Sequence, residues 1–135
     1  MRRCNILRMN NYMIKEFEIR WLNKPQDHDY ASAASFLGLL YNKKTTAQYV
    51  GDLRKAQMTG FKSKDIFRAS ALPLLGITNS HVLKDKKRIL SNEKISPILL
   101  VRDSKNAKVI IADGYHRLCA VYYYNEDAVI PCQIV

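Results

Sequence analysis

The stretch IIADGYHRLCAVYYY, residues 110–124, joins an apolar run to a run with helical spacing. The segment VIIAD (109–113) indicates a buried strand, because its apolar residues are continuous. The segment GYHRLCAVYYY (114–124) then spaces its apolar residues as a helix does. The sequence therefore predicts a strand that ends at Asp113 and turns at Gly114 into a helix.

The segments on either side complete a sheet. PILLVRD (97–103) is a second continuous apolar run, SKNAK (104–108) is turn-like, and VIPCQIV (129–135) alternates as a strand does. FEIRWL (17–22) alternates in the same way and predicts a further short strand. This order predicts an α+β fold with a small mixed β-sheet flanked by helices.

Upstream of the sheet, apolar residues recur at helical spacing. The predicted helices are 30–42, 45–58, 63–70 and 80–90, with Thr45 and Ser63 as caps of the second and third. The first two form an N-terminal helical hairpin. In the fourth we place Val82, Leu83, Lys86 and Leu90 on one side. We divide the chain into a basic extension (1–12) with a helical subregion up to residue 60, and a domain from 61 to 135, forming one compact unit.

The chain is strongly basic, with 22 Lys and Arg against 12 Asp and Glu and a formal charge of +10. The basic residues are spread along the whole sequence, so their field favours anionic partners such as nucleotides or nucleic acid. It also favours solubility. The sequence has no signal-peptide core and no apolar run of membrane-spanning length, which predicts a cytoplasmic protein without a membrane partner.

Three cysteines, Cys4, Cys119 and Cys132, form no CxxC pair. An odd count without such pairs argues against a disulfide framework and a four-cysteine zinc site. We expect Cys119 and Cys132 to be small buried residues.

The DGYHR junction (113–117) has the features of an anion site. Gly114 permits a tight turn, and the first N–H groups of the next helix lack intrahelical partners. His116 and Arg117 add donors in the first turn, where cations disfavour the helix dipole unless an anion is bound. The alternative is that both side chains form ion pairs with Asp113 or with Glu126 and Asp127.

Asp113 has three possible roles. It caps the helix, binds Mg²⁺ beside a phosphate, or acts as a general base.

The pattern PILLVRD…KVIIADGYHRLCAVYY…IPCQIV resembles the ParB/sulfiredoxin superfamily over residues 61–135. The resemblance implies a nucleotide ligand: ATP or ADP as in sulfiredoxins and free-serine kinases, or CTP as in partition proteins, with Mg²⁺ as a possible companion. It implies phosphate contacts from the turn and from the preceding helix, namely Gly114, Tyr115, His116, Arg117, Lys84, Lys87, Asn79 and His81. The free-serine kinases carry a comparable Asp-Gly-x-His-Arg, so Asp113 and His116 are the candidate catalytic residues, and no second acid is identifiable from the sequence.

The sequence also departs from the family. Tyr115 stands where sulfiredoxins carry the catalytic Cys, so we do not expect sulfinic acid reduction. No helix-turn-helix follows, which predicts no site-specific DNA binding. The leading hypothesis is a nucleotide- or phosphate-binding protein that acts as a phosphotransferase or nucleotide hydrolase. The alternative is a non-enzymatic module for interaction or for weak, sequence-independent nucleic-acid binding.

Overall fold

The computed structural model describes residues 18–135 in full and residues 6–9 and 12–15 by their backbone. Much of the predicted basic extension, and Phe17 of the predicted strand 17–22, lie outside the described residues. The two short backbone segments are antiparallel strands, β1 (Ile6–Met9) and β2 (Tyr12–Lys15).

Five helices and four further strands follow in the described chain. In order they are α1 (Asp27–Leu40), α2 (Lys43–Lys55), β3 (Thr59–Lys62), α3 (Ser63–Ser70), α4 (Ser80–Leu90), β4 (Ile98–Asp103), β5 (Lys108–Asp113), α5 (Tyr115–Tyr124) and β6 (Val129–Ile134). A turn of 3-10 helix, Ser104–Asn106, joins β4 to β5. Among the described residues no helix is both long and apolar enough to cross a membrane.

The four strands form one mixed sheet in the order β3-β6-β4-β5. β4 runs parallel to β6, and the other two pairings are antiparallel. The predicted α+β class with a small mixed sheet is therefore confirmed. The continuous apolar run of β4 follows from its position inside the sheet, where both faces are covered.

The side chains of β4 alternate between two buried clusters. Ile98 and Leu100 lie in a cluster with residues of α3, α4 and α5, whereas Leu99 and Val101 lie in a cluster with α1 and α2. The sheet is thus a layer between two groups of helices. The boundary drawn between residues 60 and 61 falls inside β3, and the helical hairpin packs directly on the sheet.

The predicted strand 17–22 is wrong for its described part. Trp21 forms only an isolated bridge with Ile95, supported by hydrogen bonds from Leu22 N to Ile95 O and from Ile95 N to Arg20 O. The segment has the alternating apolar pattern of a strand, but it pairs at one bridge and does not form a strand.

Strand β3 was not predicted, because Gly60 reads as a break in the sequence. In the sheet, a Cβ on Gly60 would lie 2.6 Å from Val129 Cγ1, so this glycine permits the close approach of β6.

Both predicted caps are also wrong. The side chain of Asn42 caps α2 by accepting from Thr45 N at 2.8 Å. Ser63 is the first residue of α3, and its Oγ donates to Glu126 O at 2.6 Å. Ser63 therefore ties α3 to the segment after α5 instead of capping its own helix.

Candidate functional site

Gly114 forms the turn between β5 and α5. It is the N-cap of α5 with φ +108°, and a Cβ there would lie 2.8 Å from Ile98 Cγ1. Glycine is therefore required both by the backbone conformation and by the contact with β4. The first intrahelical bond runs from Leu118 N to Gly114 O, so the preceding N–H groups lack helical partners.

Asp113 does not cap α5, which corrects one of its three predicted roles. Its Oδ2 accepts from Arg117 Nη2 at 2.8 Å, and no side chain caps the helix. The side chains of Asp113 and Arg117 are only 15% and 16% exposed. Burial raises the pKa of Asp113, although the neighbouring guanidinium acts to lower it.

Arg117 is held on several sides. Its Nη2 also donates to Pro97 O at 3.2 Å, and it lies 3.8 Å from Oδ1 of Asp29 in α1. The predicted ion pair with Asp113 is confirmed, whereas the alternative partner Asp127 pairs with Lys64. Arg117 therefore holds β5, α1 and the start of β4 together at the site. Fewer of its N–H groups are free to bind phosphate than the sequence suggested.

Asp29 is an acid of this site that the sequence did not reveal. It is 3% exposed, and its Oδ2 accepts from Gln26 N at 2.7 Å. It lies 84 positions before Asp113 in the sequence, with no motif that joins the two. Two carboxylates, from α1 and β5, thus flank one buried guanidinium.

A cavity of about 190 Å³ lies between α4 and the start of α5. Its basic groups outnumber its acids, and the lining residues are His81, Lys84, Asp85, Arg88, Asp113, Gly114, Tyr115, His116 and Arg117. Seven of these were predicted: the junction residues 113–117, together with Lys84 and His81. Lys84 forms no ion pair with any described residue, which leaves its ammonium group available to a ligand.

Two predicted phosphate contacts do not line this cavity. Asn79 caps α4, where its Oδ1 accepts from His81 N and Val82 N at 3.0 and 3.2 Å. Lys87 is exposed and absent from the cavity wall. A helix presents one face to a neighbour, and the face of α4 that lines the cavity carries His81, Lys84 and Arg88. Phosphate contacts from Asn79 and Lys87 stay predictions.

Asp85 and Arg88 line the cavity but were not predicted. The buried residues of α4 are Val82, Asp85 and Ile89, so the predicted stripe of Val82, Leu83, Lys86 and Leu90 is wrong beyond its first member. A buried aspartate is uncommon, and the apolar pattern gave no reason to expect one. Burial raises the pKa of Asp85, and the ion pair with Arg88 at 3.6 Å acts against this.

His116 packs against His81 with ring centroids 4.8 Å apart. Burial lowers the pKa of His116, and the nearby His81 lowers it further. The imidazole is therefore mainly neutral near pH 7, so it donates through one nitrogen and accepts through the other.

Tyr115 borders the cavity and donates its hydroxyl to Pro73 O. This bond fastens the segment between α3 and α4 to the start of α5. The two cysteines predicted to be buried, Cys119 and Cys132, are buried.

In the described part of the chain, no group of three or more His, Cys, Asp or Glu residues is arranged to hold a metal ion. Asp113 already accepts from Arg117, and binding of Mg²⁺ by this residue stays a prediction. The chain matches none of the protein-family models, curated proteins or solved structures with which it was compared.

Proposed function

We propose that the protein binds a phosphate-bearing small molecule, in the first instance a nucleotide, with the phosphate at the start of α5. The observation that carries this proposal is the cavity where Lys84, Arg88 and His116 meet the first turn of that helix. Unpaired N–H groups and the positive end of a helix dipole favour an anion there. The cationic side chains of Lys84 and Arg88 add charge-assisted hydrogen bonds.

The side chains around the cavity divide into two groups. Lys84 and Arg88 are exposed, so they can adjust to a ligand. Arg117 and Asp113 are largely buried and paired, so they hold the turn in place. Lys84, Arg88 and the N–H groups at the start of α5 would bind the phosphate. Arg117 and Asp113 would keep the turn before the helix in its position.

The site also supports the hypothesis of phosphoryl transfer. In that chemistry a protein mainly positions the reactants and neutralises charge. His116 is mainly neutral near pH 7 because its pKa is lowered, so it is able to accept a proton from an attacking hydroxyl. Asp85 carries a raised pKa beside the same cavity and is a second candidate for this role.

Calorimetric titration with inorganic phosphate, ADP, ATP and CTP, each with and without Mg²⁺, tests the proposal. Lys84→Ala should weaken binding about tenfold, since a hydrogen bond to a charged group is lost. Lys87→Ala is the matched control: it removes the same charge from the same helix, outside the cavity. Equal affinities of the two variants, or no binding of any of these ligands to the wild type, would contradict the proposal.

A further inference from the structure

A second cavity, of about 320 Å³, lies beside the first. It is bordered by the start of α1 and by the segment from Glu93 to Ser96, which leads into β4. Arg88 and Arg117 line both cavities, so these two side chains form their common wall.

The sizes of the cavities indicate how they are used together. Pockets that enclose a small molecule usually measure about 300–1,000 Å³. The first cavity, about 190 Å³, falls below this range, so it has room for a phosphate group but not for a whole nucleotide. The remainder of such a ligand must extend beyond it, and the cavity across Arg88 and Arg117 is adjacent.

The wall of the second cavity is polar. It presents the Ser96 hydroxyl, the Gln26 amide, the Glu93 carboxylate and the Lys94 ammonium group, whereas its apolar residue Ile95 is only 3% exposed. No Phe, Tyr or Trp lines it among the described residues, and the one aromatic ring among its lining residues is the imidazole of His28, a smaller surface for a base to stack on. Hydroxyl groups both donate and accept hydrogen bonds and therefore match this mixture of donors and acceptors.

We infer that the second cavity binds a polyhydroxylated, sugar-like group of the same phosphate ester. The inference rests on the proposed function, because the phosphate must occupy the first cavity for the sugar to reach the second. Ser96 lies deep in the wall, where its Oγ donates to Gln26 Oε1 at 2.9 Å and holds the two segments together. The backbone N–H of Glu93 donates to Arg88 O, which fixes the position of the residue. Its side chain is exposed, so the carboxylate is available to accept hydrogen bonds from hydroxyl groups.

The test compares three probes by calorimetry: inorganic phosphate, ribose 5-phosphate and phenyl phosphate. We expect ribose 5-phosphate to bind wild type more tightly than the other two. Glu93→Ala should weaken ribose 5-phosphate about tenfold and leave inorganic phosphate unchanged. Glu126→Ala is the control, since it removes the same charge at an exposed residue that lines neither cavity.

The outcomes separate the two proposals. If inorganic phosphate binds but ribose 5-phosphate binds no tighter than phenyl phosphate, the sugar site is refuted and the phosphate site stands. If Glu93→Ala and Glu126→Ala change the affinity for ribose 5-phosphate equally, the sugar site is likewise refuted. If none of the probes binds, both proposals fail together.

Discussion

Replacing Asp113 by Asn should destabilise the fold by about 2 kcal/mol. The substitution keeps the size of the side chain but removes the charge that faces Arg117 Nη2 at 2.8 Å. A helix-capping role predicts almost no change, because Asn and Asp cap helices about equally well. The substitution therefore separates an ion-pair role from the capping role that the sequence allowed.

The magnitude follows from the surroundings of the pair. Removing one partner of a buried ion pair costs about 3–5 kcal/mol. Two features of the site place Asp113→Asn below this range. Arg117 keeps Asp29 at 3.8 Å and the carbonyl of Pro97, and the burial that raises the pKa of Asp113 already opposes its charged form. For a chain of this size, a loss of about 2 kcal/mol lowers Tm by about 8 °C.

Thermal unfolding followed by circular dichroism at neutral pH measures this difference. The control is Asp65→Asn, which breaks a carboxylate–guanidinium pair with Arg68, a residue that is 86% exposed. Exposed pairs contribute about 0–1 kcal/mol, so the control should melt close to wild type. If Asp113→Asn melts within about 2 °C of that control, the ion-pair reasoning is wrong.

Three further predictions concern the same region and the charge of the chain. Because the pKa of Asp85 is raised, wild type loses stability as pH rises from about 4 through that pKa, and the Tm of Asp85→Asn should rise relative to that of wild type over this range. A constant difference in Tm would contradict this. Gly114→Ala should lower the free energy of unfolding in urea by at least about 2 kcal/mol, because the new Cβ combines a positive φ with a close contact to Ile98. Gly38→Ala, in open space on α1, should not destabilise the protein, and equal effects of the two variants would contradict this. Nucleic acid should bind weakly, with an affinity that falls steeply as salt increases, and a sequence-specific complex that survives high salt would count against this.

The parts of the fold that could be predicted are those with a strong local signal. The apolar runs of β4 and β5 and the change to helical spacing after Gly114 each depend on neighbours in sequence, and the structure has all three. Strand β3 could not be found in this way, because its four residues contain Gly60 and owe their conformation to pairing with β6.

The candidate site shows the same division. The junction residues were visible as a motif, and His81 and Lys84 followed from the resemblance. Asp29 is brought to Arg117 only by the packing of α1 on the sheet, and nothing in the sequence records that distance. Asp85 was missed for a different reason. Its carboxylate is buried beside Arg117 and Arg88, whereas the apolar pattern of α4 predicted Leu83 and Leu90 as the buried residues.

The central claim is that an anion binds at the start of α5, and its most direct test is an NMR titration with inorganic phosphate. The account predicts saturable shifts that are largest for the backbone amides of Tyr115 and His116 and follow a single binding curve. The basic start of α2, at Lys43 and Lys44, should shift little, because it lies outside the cavity. Shifts spread over exposed lysines without saturation, or no shift at Tyr115 and His116, would contradict the account.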